Sequence, residues 1–234
     1  FVNIPTDYKF GTVGKPIPGV EISFMDVPAE EGTEAKKEIL IHGRGVMRGY
    51  YNLPEASAEV FHIDEEGKKW LRTGDAGELD SDGFLKITDR IKNLIKTSGG
   101  KYVAPQKLEG LIKTISPLVS QALVHGNKRN FCSMLLTMDP EALQTWADEA
   151  GLGNLGYEEL TRHEALNKFI QGHIDELNTQ LMKYETIKKF AILPADLTIE
   201  TGELTPSQKM KRKVVEAKYV DILDGFYDGA LQSV

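Results

Sequence analysis

The chain has 234 residues, 41% hydrophobic and 27% charged, which allows one large domain or two modest ones and excludes disordered and fibrous classes. Lys and Arg number 28 against 35 Asp and Glu, a net charge of −7, which argues against a nucleic-acid binder held by phosphate neutralisation. The single cysteine, Cys132, has no intrachain disulfide partner and fits a reducing, cytoplasmic setting.

No apolar run reaches the roughly eighteen residues that span a bilayer, so no transmembrane segment is expected. The opening FVNIPTDYKF lacks both an initiator Met and a leader pattern, so Phe1 is expected to begin a piece of a longer chain. From Phe1 to about Thr88 the sequence is rich in Gly, Pro and short β-type runs. Alternating Val20, Ile22 and Phe24 predict a half-buried strand, and EILIHG, Glu38 to Gly43, predicts another. WLRTGDAGELDSDGFLKITDR predicts short strands around turns at Asp75 to Gly77 and Ser81 to Gly83. Only PEASAEVF looks helical, with Pro54 suited to a first helical position.

Past Asp89 strands and helices alternate. IKNLIKT, the turn Ser98 to Gly100 and KYVAP predict a hairpin, and Pro105 opens an amphipathic helix with Leu108, Leu111, Ile112 and Ile115 on one face. VSQALVHG and FCSMLLTMD predict a second hairpin, Pro140 to Leu181 a helical stretch broken by Gly151, Gly153 and Gly156, KFAIL a last strand, and Ser207 to Leu223 a terminal helix. The fold class is thus mixed α/β, with a β-rich subdomain over 1–88 and, from Asp89, an α+β C-terminal domain over 89–234 whose antiparallel or mixed sheet is flanked by helices.

The glycine clusters do not make a phosphate or dinucleotide loop. HGRGVMRG has the wrong spacing and no helix after it, while GTVGKP and TSGGKY lack the Ser or Thr that must follow the lysine. The five histidines, His42, His62, His125, His163 and His173, show no metal-ligand spacing, so no metal site is expected on this chain. Cys132 sits in an apolar strand and reads as core, as do Trp70 and Trp146.

In order, however, GTVGKPIPGVE, EILIHGRGVMRGYYNLPEAS, WLRTGDAGELDSDGFLKITDRIKNLIKTSGGKYVAPQKLE and GELTPSQKMKRK resemble the downstream motifs of adenylate-forming enzymes. Within that family the chain resembles the C-terminal portion of long-chain fatty-acyl-CoA synthetases, relatives of luciferases and peptide-synthetase adenylation domains. The resemblance implies that residues 1–88 form a distorted barrel ending the large adenylation domain and that the rest is mobile. It implies activation of a fatty acid by ATP to an acyl-AMP, then transfer to CoA, with Mg²⁺ held by residues upstream of Phe1. A peripheral contact of the whole enzyme with the inner membrane face is compatible with it.

Carried over residue by residue, Asp75 in RTGD matches the carboxylate that accepts both ribose hydroxyls of ATP or AMP; without the resemblance, an Asp capping its own turn is the commoner explanation. Asp89 and Arg90 in TDRIKN match the hinge and an adjoining nucleotide-binding arginine, against the plainer alternative of a surface ion pair. Lys209 in TPSQKMKRK matches the catalytic lysine that bridges the substrate carboxylate and the α-phosphate, against a solvated helix face. Lys211, Arg212 and Lys213 follow that helix face or meet the phosphates of CoA. Gly99, Gly100 and Lys101 match the loop that admits the pantetheine arm, although two glycines in a hairpin require no function. Two rivals stay open: a relative with another acceptor, such as a carrier-protein ligase or a luciferase-like enzyme, and a non-catalytic regulatory module that retains the fold.

Overall fold

A computed structural model describes residues 1–27 and 36–228, which fall into two compact units, Phe1–Leu94 and Ile95–Val234. The architecture is mixed α/β, with helices flanking antiparallel and mixed sheets. Asp89, where the sequence puts the boundary, lies inside the last strand of the first unit.

The first unit is built on β1 (Val20–Asp26), β2 (Lys37–Gly43), β3 (Phe61–Ile63), β4 (Lys69–Leu79) and β5 (Leu85–Arg90), with one short helix, α1 (Pro54–Glu59). The strand path is β1-β2-β4-β3, with β5 also pairing β4, every pair antiparallel. Among the described residues no pairing joins β1 to β5, so the barrel-like sheet is open there. The apolar side chains of Ile39, Leu40, Trp70, Phe84 and Leu85 are buried and hold the sheet together.

The central strand differs from expectation at one place that matters. Asp75 to Gly77 is not a turn: β4 runs through it for 11 residues. The strand absorbs the turn-like residues as a bulge. Glu38 pairs with Ala76 and Leu40 with Arg72, so Thr73, Gly74 and Asp75 stand opposite Ile39 alone. Gly74 takes φ +71°, a backbone setting that the missing Cβ makes inexpensive.

The second unit opens with the short hairpin β6 (Ile95–Lys96) and β7 (Tyr102–Val103). Helix α2 (Pro105–Ile115) then buries Leu108 and Ile112, as its apolar spacing requires. Strands β8 (Val119–His125) and β9 (Cys132–Met138) pair antiparallel, and β10 (Ile187–Ile192) joins β9 in parallel, giving the order β10-β9-β8. The central strand β9 reads CSMLLTM without alternation and is buried along its whole length, the pattern of a strand covered on both faces.

One face, with Ala122, Val124, Met134 and Leu136, packs against α2, α3 (Pro140–Glu149), α4 (Tyr157–Arg162) and α5 (Glu164–Thr179). The other, with Leu123 and Leu135, packs against Val215 of α6 (Arg212–Lys218) and Leu223 of α7 (Val220–Gly225). Asp139 caps α3 by accepting from the amides of Glu141 and Ala142. Within α5, Leu166, Ile170, Ile174 and Leu177 recur at helical spacing and are all buried. Among the described residues no helix is long and apolar enough to cross a membrane.

Candidate functional site

In the first unit the candidate is a carboxylate on a bulged stretch of β4. The β4 bulge removes Asp75 from the ladder with β2, while on the other side Asp75 stays directly opposite Arg90 of β5, and Ala76 opposite Asp89. Arg90 Nε lies 2.8 Å from Asp75 Oδ1, and the two side chains are 59% and 23% exposed. An ion pair that open to water contributes at most about 1 kcal/mol, so its use is to orient rather than to stabilise. No hydrogen bond to Asp75 Oδ2 is found among the described residues, so a carboxylate there keeps acceptor capacity to spare.

The bulge is held from behind by polar groups. Thr73 Oγ1 donates to the Ile39 carbonyl at 2.8 Å and accepts the Asp75 amide at 3.1 Å. Glu38 accepts Arg72 Nη2 at 2.9 Å and Nε at 3.2 Å on one oxygen, and the Gly74 amide at 3.0 Å on the other. Asp89 is buried, and its Oδ1 accepts the amide of the next residue, Arg90, at 2.6 Å. A short 3-10 turn, Ile91–Asn93, follows.

The remaining candidates lie in the second unit. Lys209 does not lie on a helix. Leu204 and Met210 form an antiparallel bridge, and the Thr205 amide donates to the Lys209 carbonyl at 2.8 Å, so residues 205–209 make a tight turn. Pro206 cannot donate to a helical ladder and Gln208 sits at φ +58°, so the helix starts only at Arg212. The turn carries Lys209 outward: its side chain is exposed, and its ammonium has no ion-pair or hydrogen-bond partner among the described residues.

Below the turn, Glu203 is buried and anchors three segments. It accepts Lys218 Nζ at 2.6 Å, Thr201 Oγ1 at 2.5 Å and the Thr198 amide at 3.3 Å. Burial alone pushes the Glu203 carboxyl up, but the hydrogen bonds from Lys218, Thr201 and the Thr198 amide outweigh it and hold the group below its usual value. A depressed folded value contributes stability that is present above the unfolded carboxylate range, near pH 4.3, and lost as pH falls through the folded value. Glu203→Gln is therefore expected to lower stability at pH 7 by roughly 1–3 kcal/mol and to flatten the acid limb of urea midpoints measured from pH 7 to 3. An unchanged acid limb contradicts this.

Of the basic run beside Lys209, Arg212 is structural. Its Nη1 donates to the Val124 carbonyl at 2.8 Å and its Nη2 to Glu109 Oε1 at 2.5 Å, and that same oxygen accepts the Val124 amide at 2.7 Å. The pair closes the open edge of β8, which is why Arg212 is not available to a ligand.

Gly99, Gly100 and Lys101 sit on the loop joining β6 and β7. The loop is tied into the β8–β9 turn: the Ser98 amide donates to the Arg129 carbonyl at 3.0 Å, Ser98 Oγ to Asn130 Oδ1 at 2.8 Å, and the Lys128 amide to the Lys96 carbonyl at 2.7 Å. Gly100 holds φ +75° and donates to the Thr97 carbonyl at 2.9 Å, so the turn itself requires it. A Cβ at Gly99 would meet nothing within 4 Å, so the fold does not demand that glycine. Cys132 is buried, and burial with the nearby Glu185 charge pushes its thiol up to about 12, which removes it as a nucleophile. Among the described residues no cluster of His, Cys, Asp or Glu fit for a metal is found.

The sequence motifs name Asp75, Arg90 and Lys209 as candidates but give no place to Glu38 and Thr73, which hold the bulge that carries Asp75. The only signal was a glutamate inside the otherwise apolar run EILI.

Comparison with known proteins adds a family to this geometry. Residues 92–231 match the family described as AMP-binding enzyme C-terminal domain. The long-chain-fatty-acid–CoA ligase FadD15 of Mycobacterium tuberculosis is 40% identical over 223 residues, covering 95% of this chain and 35% of that protein. The human ligase ACSBG1 is 37% identical over 244 residues, covering 97% and 33%. Among solved structures, the adenylation domain of a carboxylate reductase from Mycobacterium chelonae superposes with a TM-score of 0.69 at 30% identity, over 90% of this chain and 31% of that one. The corresponding domain from Segniliparus rugosus, in complex with AMP and a co-purified carboxylic acid, gives 0.69 at 31% identity, over 90% and 32%. The chain thus spans about a third of the length of the relatives it matches.

Proposed function

The chain belongs to the AMP-binding enzyme C-terminal domain family, and we propose on that premise that it is the C-terminal portion of a long-chain fatty acid–CoA ligase. The whole enzyme takes a fatty acid, ATP and CoA. The observation that carries the reading is the Asp75 carboxylate, raised on a three-residue bulge, steadied on one oxygen by Arg90 and open on the other.

In the first half-reaction the fatty-acid carboxylate attacks the α-phosphorus of ATP, an acyl-AMP forms and pyrophosphate leaves. Asp75 accepts the ribose hydroxyls, and Arg90 adds a donor beside them. Lys209 brings a compact positive charge to the carboxylate and α-phosphate as negative charge shifts between them, stabilising the transition state. In the second half-reaction the CoA thiolate attacks the acyl carbonyl and AMP leaves. The second unit turns about Asp89, withdrawing Lys209 and presenting the Gly99 to Lys101 loop to the pantetheine arm. Mg²⁺ supplies charge neutralisation on the phosphates when bound, and its ligands are assigned to residues outside this chain.

Because the activity needs parts that this third of the enzyme does not hold, the isolated chain is expected to make no acyl-CoA from fatty acid, ATP, Mg²⁺ and CoA; a measurable rate contradicts that. One finding favours a second acceptor: an adenylation domain joined to a carrier protein, from the Segniliparus rugosus reductase, is 32% identical with a TM-score of 0.65. Supplying the complete enzyme with CoA or with a phosphopantetheinyl carrier separates the two. The CoA reading expects thioester on CoA only, and transfer to the carrier alone overturns it.

A further inference from the structure

We infer that Glu38 is a positioning residue for nucleotide binding: its carboxylate clamps the β4 bulge and thereby sets the direction of Asp75. The inference rests on the reading of Asp75 as the ribose acceptor and goes one residue beyond it.

Glu38 is 3% exposed, so its charge is removed from water and has to be matched by the groups around it. Both of its oxygens are taken up by donors at the bulge. One takes the Arg72 fork, at 2.9 and 3.2 Å, and the other the Gly74 amide at 3.0 Å. These are the residue before Thr73 and the residue before Asp75. The clamp therefore holds the bulge at its start and at the peptide entering Asp75.

The need for a clamp follows from the backbone. Three residues opposite one leave the Gly74 amide without a ladder acceptor, and Gly74 at φ +71° is free to leave that setting because glycine has many others. Were the segment released, Asp75 would turn relative to Arg90 and its open oxygen would sweep an arc. A hydrogen bond to a ribose hydroxyl tolerates little of that, since it weakens steeply with misalignment. Charge-assisted bonds donated by a guanidinium and an amide to a buried carboxylate are a strong way to fix such a segment.

The test uses the complete enzyme and the ratio of kcat/KM for ATP to that for 3′-deoxy-ATP, each in adenylate formation. The ratio reads ribose recognition and is insensitive to the fraction of folded protein. Asp75→Ala is measured alongside and is expected to bring the ratio close to one. Glu38→Ala is expected to lower the ratio roughly tenfold or more, the loss of one well-made charged hydrogen bond, with kcat at saturating ATP changed far less than KM. Glu38→Gln keeps an acceptor for the Gly74 amide but loses the charge facing Arg72, and should fall between. It also serves as the test should Glu38→Ala fail to fold. If Asp75→Ala abolishes ribose discrimination while the Glu38 variants keep it in full, the positioning role is wrong and the ribose reading stands. If Asp75→Ala itself keeps the discrimination, the ribose reading fails and this inference with it.

Discussion

Lys209→Ala in the complete enzyme is expected to slow acyl-adenylate formation by about 10²–10³-fold, the usual cost of removing one preorganised charge from a transition state. The melting temperature should hardly move. Lys209 is exposed on a turn whose hydrogen bonds are made by the backbone and by Thr205, and substitutions at such positions usually stay within about 0.5 kcal/mol. ATP–pyrophosphate exchange reads the first half-reaction alone, and synthetic acyl-AMP with CoA reads the second. The variant should fail the first and keep the second within a few-fold. Unchanged exchange would favour a non-catalytic module that has kept the fold.

The second large effect is expected at Asp75. Replacing it by Ala removes the proposed acceptor of two ribose hydroxyls, and charged hydrogen bonds contribute about 1.5–3 kcal/mol each, so kcat/KM for ATP should fall by roughly 10²-fold or more. Stability should fall little, because the partner Arg90 is more than half exposed and returns to water. Asp75→Asn keeps one acceptor and should lose about tenfold, much of it in KM. A variant with an unaltered KM for ATP would place the nucleotide elsewhere.

How far these positions were legible in the sequence depended on how local their causes are. The burial of α2 and α5 follows from apolar spacing within each helix, and the unbroken apolar reading of β9 follows from its central place in the sheet. Asp75 and Arg90 are candidates through motifs, but the bulge that takes Asp75 out of the ladder with β2 is not legible there. RTGDAG looks like a turn because turns and bulges use the same residues. Only pairing with Glu38 and Ile39, more than thirty positions earlier in the chain, decides for a bulge.

The misplacement of Lys209 on a helix has a different cause. The run QKMKRKVVEAK has good helical propensity, and its first half is overruled by Pro206, the left-handed Gln208 and the bridge from Leu204 to Met210. Likewise Arg212 is one of four basic residues among five in sequence, yet its partner Glu109 is 103 positions away. Nothing in the run itself distinguishes the arginine that closes a sheet edge from the lysine that faces outward.

The central claim is that Lys209 reaches the α-phosphate position of a nucleotide whose ribose is held by Asp75. The most direct measurement uses Lys209→Cys in the complete enzyme with adenosine carrying a thiol-reactive vinylsulfonyl group at its 5′ carbon, and peptide mapping of the product. Stoichiometric labelling is expected at position 209, competed by AMP and lost when Asp75→Ala is added. Absence of label at 209, or labelling that persists without the Asp75 carboxylate, contradicts it.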